Sequence, residues 1–574
     1  MTRIFSSFVM EILVMFMVRK ILLINLLLIL AAGKIFSFPG TRPDNPVIRK
    51  DSVWADSVLK TLSTDRKIAQ LMILRAFSDR DSVYNDSLTH LVGLWNPGGI
   101  CFFKGTPKRQ ALLTNRWQQL SRTPLLITTD AEWGLGMRLD SAYSFPRPMT
   151  LAAAGNDSLA YEEATAIARD CHRLGIQVDL APVLDVNSNP ANPVINSRSF
   201  GEDRTRVATL GALFMKGLQD HGIMATGKHF PGHGDTDADS HLTLPVVHKT
   251  RAQLDSVELY PYRQLIPQGL QAIMIAHLYV PALDSSNSIN AGNANNATNF
   301  TNPATPSTPT TLSYPVISGL LRNDLGFRGL IITDALDMKG VTKYFPPGII
   351  ELNALKAGND ILLLPQDLGL AVRTLHSAID SGLIPIELID QKCRKILELK
   401  YRVGLQEVPP IDTAQLFEDL NPVSSEALTR KIYREAVTLV RNENHLLPLG
   451  LLEYRKIAVL SVGDSNLTAF QQSIGKYAEA SCFSLPADFR PPVRDSLLKK
   501  LQPYNLLIIG IHNTSSLPGK NFGLTVQEVA LVDTLARLKK TVLDIFGSPY
   551  ILGMLKSPQS AEAILISYQD VPAS

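Results

Sequence analysis

Eight short apolar runs, most of them followed by a segment with helical spacing, constrain this chain more than any other feature. They begin at Gln70 (QLMILRAF), Gly98 (GGICFFKG), Leu125 (LLITTDAEWG), Ile176 (IQVDLAPVLDV), Ile223 (IMATGKHF), Ala272 (AIMIAHLYVP), Gly329 (GLIITDALDM) and Ile361 (ILLLP). Helix-like segments at 107–120, 157–174, 203–221, 251–270 and 316–325 separate them. Strands that alternate with helices pair in parallel, because each crossover returns the chain to the same edge. Eight such units over about 330 residues predict a (β/α)8 TIM-type barrel spanning 51–405.

Polar residues cluster where these runs end. Asp130, Asp185, Lys228, His229, His277 and Asp334 all lie at or just past a strand end. In a parallel barrel those ends share one rim, so the spacing predicts one pocket there. The densest stretch is 228–241, KHFPGHGDTDADSH, with three His, three Asp and one Lys. Pro231, Gly232 and Gly234 break regular structure, which places the polar groups on a loop leaving a buried strand.

One segment breaks the rhythm. Residues 284–311 are Asn, Thr, Ser, Ala and Pro with almost no apolar side chains, and are expected to form a surface loop on the rim without contributing to a core. Residues 406–424 read as an irregular linker. A second α/β unit, 425–574, begins with a helix over 425–440 and continues through runs at Lys456, Asn505, Thr541 and Ala563. That is a three-layer α/β sandwich with at least four parallel strands. It carries no GxGxxG after Gly463 or Gly510, so a dinucleotide site is not indicated.

The net charge of +3 on 574 residues, without a basic run, argues against nucleic acid and suits a neutral polymer. Cys101, Cys171, Cys393 and Cys482 are far apart and lack CxxC spacing, which indicates neither a zinc site nor a disulfide framework. Within residues 1–40, Arg19 and Lys20 precede an apolar run and Ala32-Gly33, the layout of a signal peptide, with Met17 an alternative start. The apolar core is shorter than the roughly 20 residues of a membrane span. Export to a bacterial periplasm or cell envelope is expected, with no stable span after cleavage.

Three motifs carry a family resemblance: APVLDVNSNPANPVINSRSFGED from Ala181, KHFPGHGDTDADSH from Lys228 and LGFRGLIITDALDM from Leu325. Together they resemble family 3 glycoside hydrolases, and among them the bacterial β-N-acetylglucosaminidases (β-hexosaminidases) that release terminal GlcNAc from peptidoglycan fragments or other glycans. The resemblance implies a retaining, cofactor-free hydrolysis. It makes Asp334 the nucleophile and the Asp239–His241 pair the acid/base. It also implies Asp130, Arg138, Arg198, Lys228 and His229 as sugar-binding residues. The chemistry is consistent: a carboxylate can attack the anomeric carbon and leave as an ester. An imidazole with a pKa near 6.5 gives and takes a proton close to neutrality.

Alternatives remain open at this point. Asp337 rivals Asp334. Lys228 could simply pair with Asp185, and Arg138 could be a solvated loop charge. His229, His233, Asp235, Asp237, Asp239 and His241 could hold a metal, although their spacing matches neither HExxH nor an EF-hand loop. A family 3 β-glucosidase, a GlcNAc phosphorylase and a noncatalytic glycan-binding barrel are the competing functions. Two departures from the family pattern stand out. Residues AEWGLGMR follow Asp130 where relatives have a Gly pair, so Glu132, Trp133 and Met137 are expected to reshape the rim. The sandwich also stops soon after the run at Ala563, so a truncated chain with an unfinished sheet edge is expected.

Overall fold

The computed structural model describes residues 50–240, 242–284 and 308–572. The chain divides into two units, Met1–Val53 and Trp54–Ser574, and the fold that follows is that of the second. The expected signal peptide (1–40), His241 and most of the Asn/Thr-rich insert lie outside the described residues.

Eight strands, β1 (Met72–Phe77), β2 (Gly99–Lys104), β3 (Leu126–Thr129), β4 (Val178–Asp179), β5 (Met224–Phe230), β6 (Ala272–Ile275), β7 (Leu330–Thr333) and β8 (Leu362–Leu363), form one parallel sheet in sequential order. β8 pairs with β1, and a bridge between Ile332 and Ile361 joins β7 to the start of β8, so the sheet closes. All seven residues of β5 are buried, as a strand covered on both faces must be. β4 is short because Ala181-Pro182 follows it and proline has no N–H for the ladder. The chain there still tracks β5, with Leu184 N–H donating to Lys228 O at 2.6 Å. Against the outside of the strands, helices bury rings such as Trp117, which stacks on Phe102 at 5.8 Å. The segment 251–270 is not one helix but two, Arg251–Ser256 and Tyr260–Leu265, with Pro261 restarting the second.

The linker is strapped down. Arg173 donates to Asp412 O and Ala414 O, both at 2.6 Å, and Asn115 exchanges two hydrogen bonds with Ile411. A short helix, Leu416–Leu420, interrupts it.

In the second sheet, β9 (Thr438–Asn442), β10 (Ile457–Gly463), β11 (Ala480–Pro486), β12 (Leu506–Ile511), β13 (Thr541–Ile545) and β14 (Ala563–Ile566) are ordered β11-β10-β12-β13-β14-β9. Five strands are parallel and β9 runs antiparallel to β14. Two expectations need correction. The helix expected over 425–440 ends at Ala436, and the β-branched residues Thr438 and Val440 enter a strand. That strand covers β14, so β14 does not form an open edge. β11 left no apolar signal, because it is a largely exposed edge strand.

Candidate active site

A cavity of about 300 Å³ opens at the C-terminal rim of the barrel, lined among others by Arg75, Phe103, Asp130, Arg138, Arg198, Lys228, His229, Ser240 and Asp334. Asp334 is the first residue past β7. Its N–H donates to Ile275 O at 2.9 Å, extending the ladder to β6, and its Oδ1 accepts from Ala335 N–H at 2.8 Å. The carboxyl group is half-buried, so it is held by the backbone yet reaches the cavity. Beneath it lies the buried His277, whose Nε2 is 2.9 Å from Ala335 O and whose Nδ1 is 2.6 Å from Thr311 Oγ1. A carbonyl only accepts, so Nε2 carries the proton toward Ala335. Thr311 Oγ1 and Thr310 Oγ1 both also lie against Ala276 O, at 2.8 and 2.5 Å.

Opposite Asp334 the charges are interlocked. Lys228, 2% exposed, places Nζ 2.7 Å from Asp130 Oδ1 and 2.8 Å from Glu132 Oε1. Arg138 pairs with the other oxygen of Asp130. Arg198 grips Glu132 with both sides of its fork, Nε at 2.9 Å and Nη2 at 2.6 Å. Burial alone would push the Glu132 carboxyl up, but Arg198 and Lys228 more than offset it and hold it at about 2. Burial acts likewise on Asp130, and Lys228 and Arg138 bring it far below the usual carboxylate range. Arg138, Arg198 and the buried Lys228 are therefore fixed around two carboxylates that stay ionised.

His229 is oriented by Asp185: its Nδ1 is 2.7 Å from Oδ2, and the other carboxylate oxygen accepts from His233 N–H at 2.7 Å. His233 is buried, with Nε2 3.0 Å from Ser240 Oγ and Nδ1 2.8 Å from Thr236 Oγ1. Burial, only partly opposed by Asp185, pushes His233 down to about 4, so its ring is neutral and serves to brace the loop carrying Ser240. Among the described residues no three His, Cys, Asp or Glu side chains are grouped as a metal ion requires.

The sequence-predicted residues thus meet unevenly. Asp130, Arg138, Arg198, Lys228, His229 and Asp334 line one cavity. Asp239 is half-buried on the loop beside Ser240, and His241 is outside the described residues. Lys228 pairs with Asp130 and Glu132 and not with Asp185. Arg138 is not a solvated loop charge but a partner of Asp130. Asp337 is held by Arg75 at 2.6 and 3.1 Å. Glu132, expected to shape the rim, is instead the 1%-exposed carboxylate that fixes Arg198 and Lys228. Thr310 and Thr311, at the end of the segment expected to lack core contacts, are buried under the site. No sequence signal marks Thr311, because its role comes from a partner 34 positions away.

A family model described as the glycosyl hydrolase family 3 N terminal domain matches residues 63–399, the stretch that builds the barrel and this cavity. The chain belongs to glycosyl hydrolase family 3. It is a glycoside hydrolase, and carbohydrate is its substrate. This family 3 hydrolase is 32% identical over 462 residues to beta-hexosaminidase A of Pseudoalteromonas piscicida, covering 74% of this chain and 72% of that protein. It is 29% identical over 406 residues to the beta-N-acetylglucosaminidase/beta-glucosidase of Cellulomonas fimi, covering 71% and 69%. The solved family 3 beta-N-acetylglucosaminidase from Paenibacillus sp. str. FPU-7 superposes with a TM-score of 0.72 at 28% identity, covering 89% of this chain and 95% of that one. No helix among the described residues is long and apolar enough to cross a membrane.

Proposed function

We propose that this family 3 hydrolase is an exported, retaining β-N-acetylglucosaminidase that removes terminal GlcNAc from peptidoglycan fragments or other glycans. The observation that carries the reading is the half-buried Asp334 facing a small, donor-lined cavity. At about 300 Å³ the cavity has room for one sugar residue and little more, which favours release from a chain end over internal cleavage. Lys228, Arg138 and His229 hold the hydroxyls, and Asp334 attacks the anomeric carbon to form a glycosyl ester. Ser240, on the loop carrying Asp239, lines the cavity, and in this reading His241 donates the proton to the leaving oxygen. The same imidazole then activates the water that hydrolyses the ester. Support for GlcNAc over glucose comes from the D-S-H sequence at 239–241 and from what the similar proteins are named.

The test is a chromogenic β-GlcNAc substrate assayed beside its β-glucoside, with and without phosphate. The GlcNAc substrate should turn over faster, without dependence on phosphate. His241→Ala should lose at least about a hundredfold, the scale of a general acid–base group, and far more than His233→Ala. Equal losses in the two variants would remove the acid/base assignment, and phosphate-dependent turnover would make the enzyme a phosphorylase.

A further inference from the structure

Among the described residues the sandwich adds no side chain to the cavity that holds Asp334, yet two of its residues reach the turn that carries Arg198. That turn is the single 3-10 turn Asn196–Arg198. Its first residue, Asn196, has a φ of +39°, in the left-handed region that residues other than glycine occupy only at a cost, so its shape has to be held from outside. The buried Asn187 does this: its Oδ1 accepts from Asn196 N–H at 3.0 Å. The other end of the same amide, Nδ2, donates to the Tyr550 hydroxyl at 2.8 Å. Tyr550 stands on the sandwich, in the turn Pro549–Met554 that follows β13. Burial, and then Glu202 beside it, push its phenol up, so the oxygen stays neutral and keeps accepting.

A second tether meets the next residue of the turn. Gln569, just past β14, accepts on Oε1 from Arg147 N–H at 2.7 Å and from Thr150 Oγ1 at 2.9 Å. Arg147 in turn donates from Nη1 to Ser197 Oγ at 2.9 Å. The two residues that precede Arg198 are thus each linked to a different point on the sandwich. Arg198 grips Glu132 with a two-pronged fork, and Glu132 fixes Lys228, so a small rotation of the turn would loosen the whole charge cluster. Resting on the reading that this cavity binds the reacting sugar, we infer that Tyr550 and Gln569 are positioning residues. Through the turn 196–198 the sandwich sets Arg198, and through Glu132 and Lys228 it sets the grip on the sugar.

Tyr550→Phe keeps the ring and removes only the oxygen that takes the Asn187 amide. On the chromogenic β-GlcNAc substrate its kcat/KM should fall about fivefold, the scale of one hydrogen bond, mostly as a rise in KM. In an Arg198→Lys background, where the fork is already lost, the same substitution should change kcat/KM by less than about twofold. An unchanged KM in Tyr550→Phe, or an equal loss in both backgrounds, overturns the assignment. Gln569→Ala cuts the second tether and should raise KM likewise, and Gln569→Glu, which keeps an acceptor oxygen, should bring it back. If Arg198→Lys is inactive, the Gln569 pair decides: KM raised in the Ala variant and restored in the Glu variant supports the role, and any other result refutes it. If the wild type cleaves only the β-glucoside, the GlcNAc reading fails separately and the same variants are read on that substrate. Turnover of neither by the wild type would remove the reading of the cavity itself, and this role with it.

Discussion

In Glu132→Gln the side chain keeps its shape and one acceptor oxygen but loses the charge that Arg198 and Lys228 share. The carboxyl sits at about 2 in the folded protein against an ordinary value of 4.5. At about 1.4 kcal/mol per unit, that displacement is worth roughly 3 kcal/mol. The folded value is the lower one, so the contribution is complete above about pH 4.5 and is lost as pH falls through to about 2. A second route gives the same scale, since removing one partner from a buried ion pair costs about 3–5 kcal/mol. Urea unfolding at pH 7 should therefore show the Gln variant destabilised by roughly that amount, with the gap to wild type narrowing at pH 3. With Arg198 and Lys228 no longer fixed, kcat/KM on a β-GlcNAc substrate should fall by about two decades, the rate equivalent of the same energy. A variant with an unshifted midpoint and kcat/KM within about threefold of wild type would refute the claim that Glu132 organises the site.

Two further outcomes follow from buried groups near the cavity. Burial pushes the fully buried Asp179 up to about 7, partly opposed by Ala131 N–H, which donates to its Oδ1 at 2.9 Å. The folded protein therefore keeps this proton longer than the unfolded chain, and stability falls as pH rises from about 4 to 7. Asp179→Asn should match wild type at pH 4 and exceed it at pH 8 by up to about 4 kcal/mol in denaturant unfolding, and equal curves at both pH values would refute this. His277→Gln removes the ring that ties Ala335 to Thr311, so kcat should fall about tenfold with KM little changed, the signature of a displaced nucleophile. A change in KM alone would place His277 in substrate binding instead.

How much of this was legible in the chain depends on whether a residue's role is local. Asp334, Lys228 and His229 could be assigned to the rim because each follows an apolar run, and a parallel strand fixes where its end points. Arg138 and Arg198 were legible only through the family resemblance, since they lie at short turns whose direction no periodicity sets. Glu132 was misjudged because in the sequence it is one more charge after a strand. Its meaning comes from Arg198, 66 positions away, folding back onto it. β9 and β11 were missed for a related reason, being edge strands whose exposed faces need no apolar signal.

The sequence by itself determined the architecture of closed barrel and α/β sandwich with its parallel strands, though not the antiparallel β9, because hydrophobic runs of strand length separated by helices have few ways to bury their surface. It also determined which carboxylates and bases stand at strand ends. Tertiary structure alone decided how those charges are paired: Lys228 between Asp130 and Glu132 rather than on Asp185, Asp337 on Arg75, and Thr311 beneath His277. Ion pairs and buried hydrogen bonds depend on distances of a few ångströms between residues remote in the chain, and those distances exist only once the strands have closed.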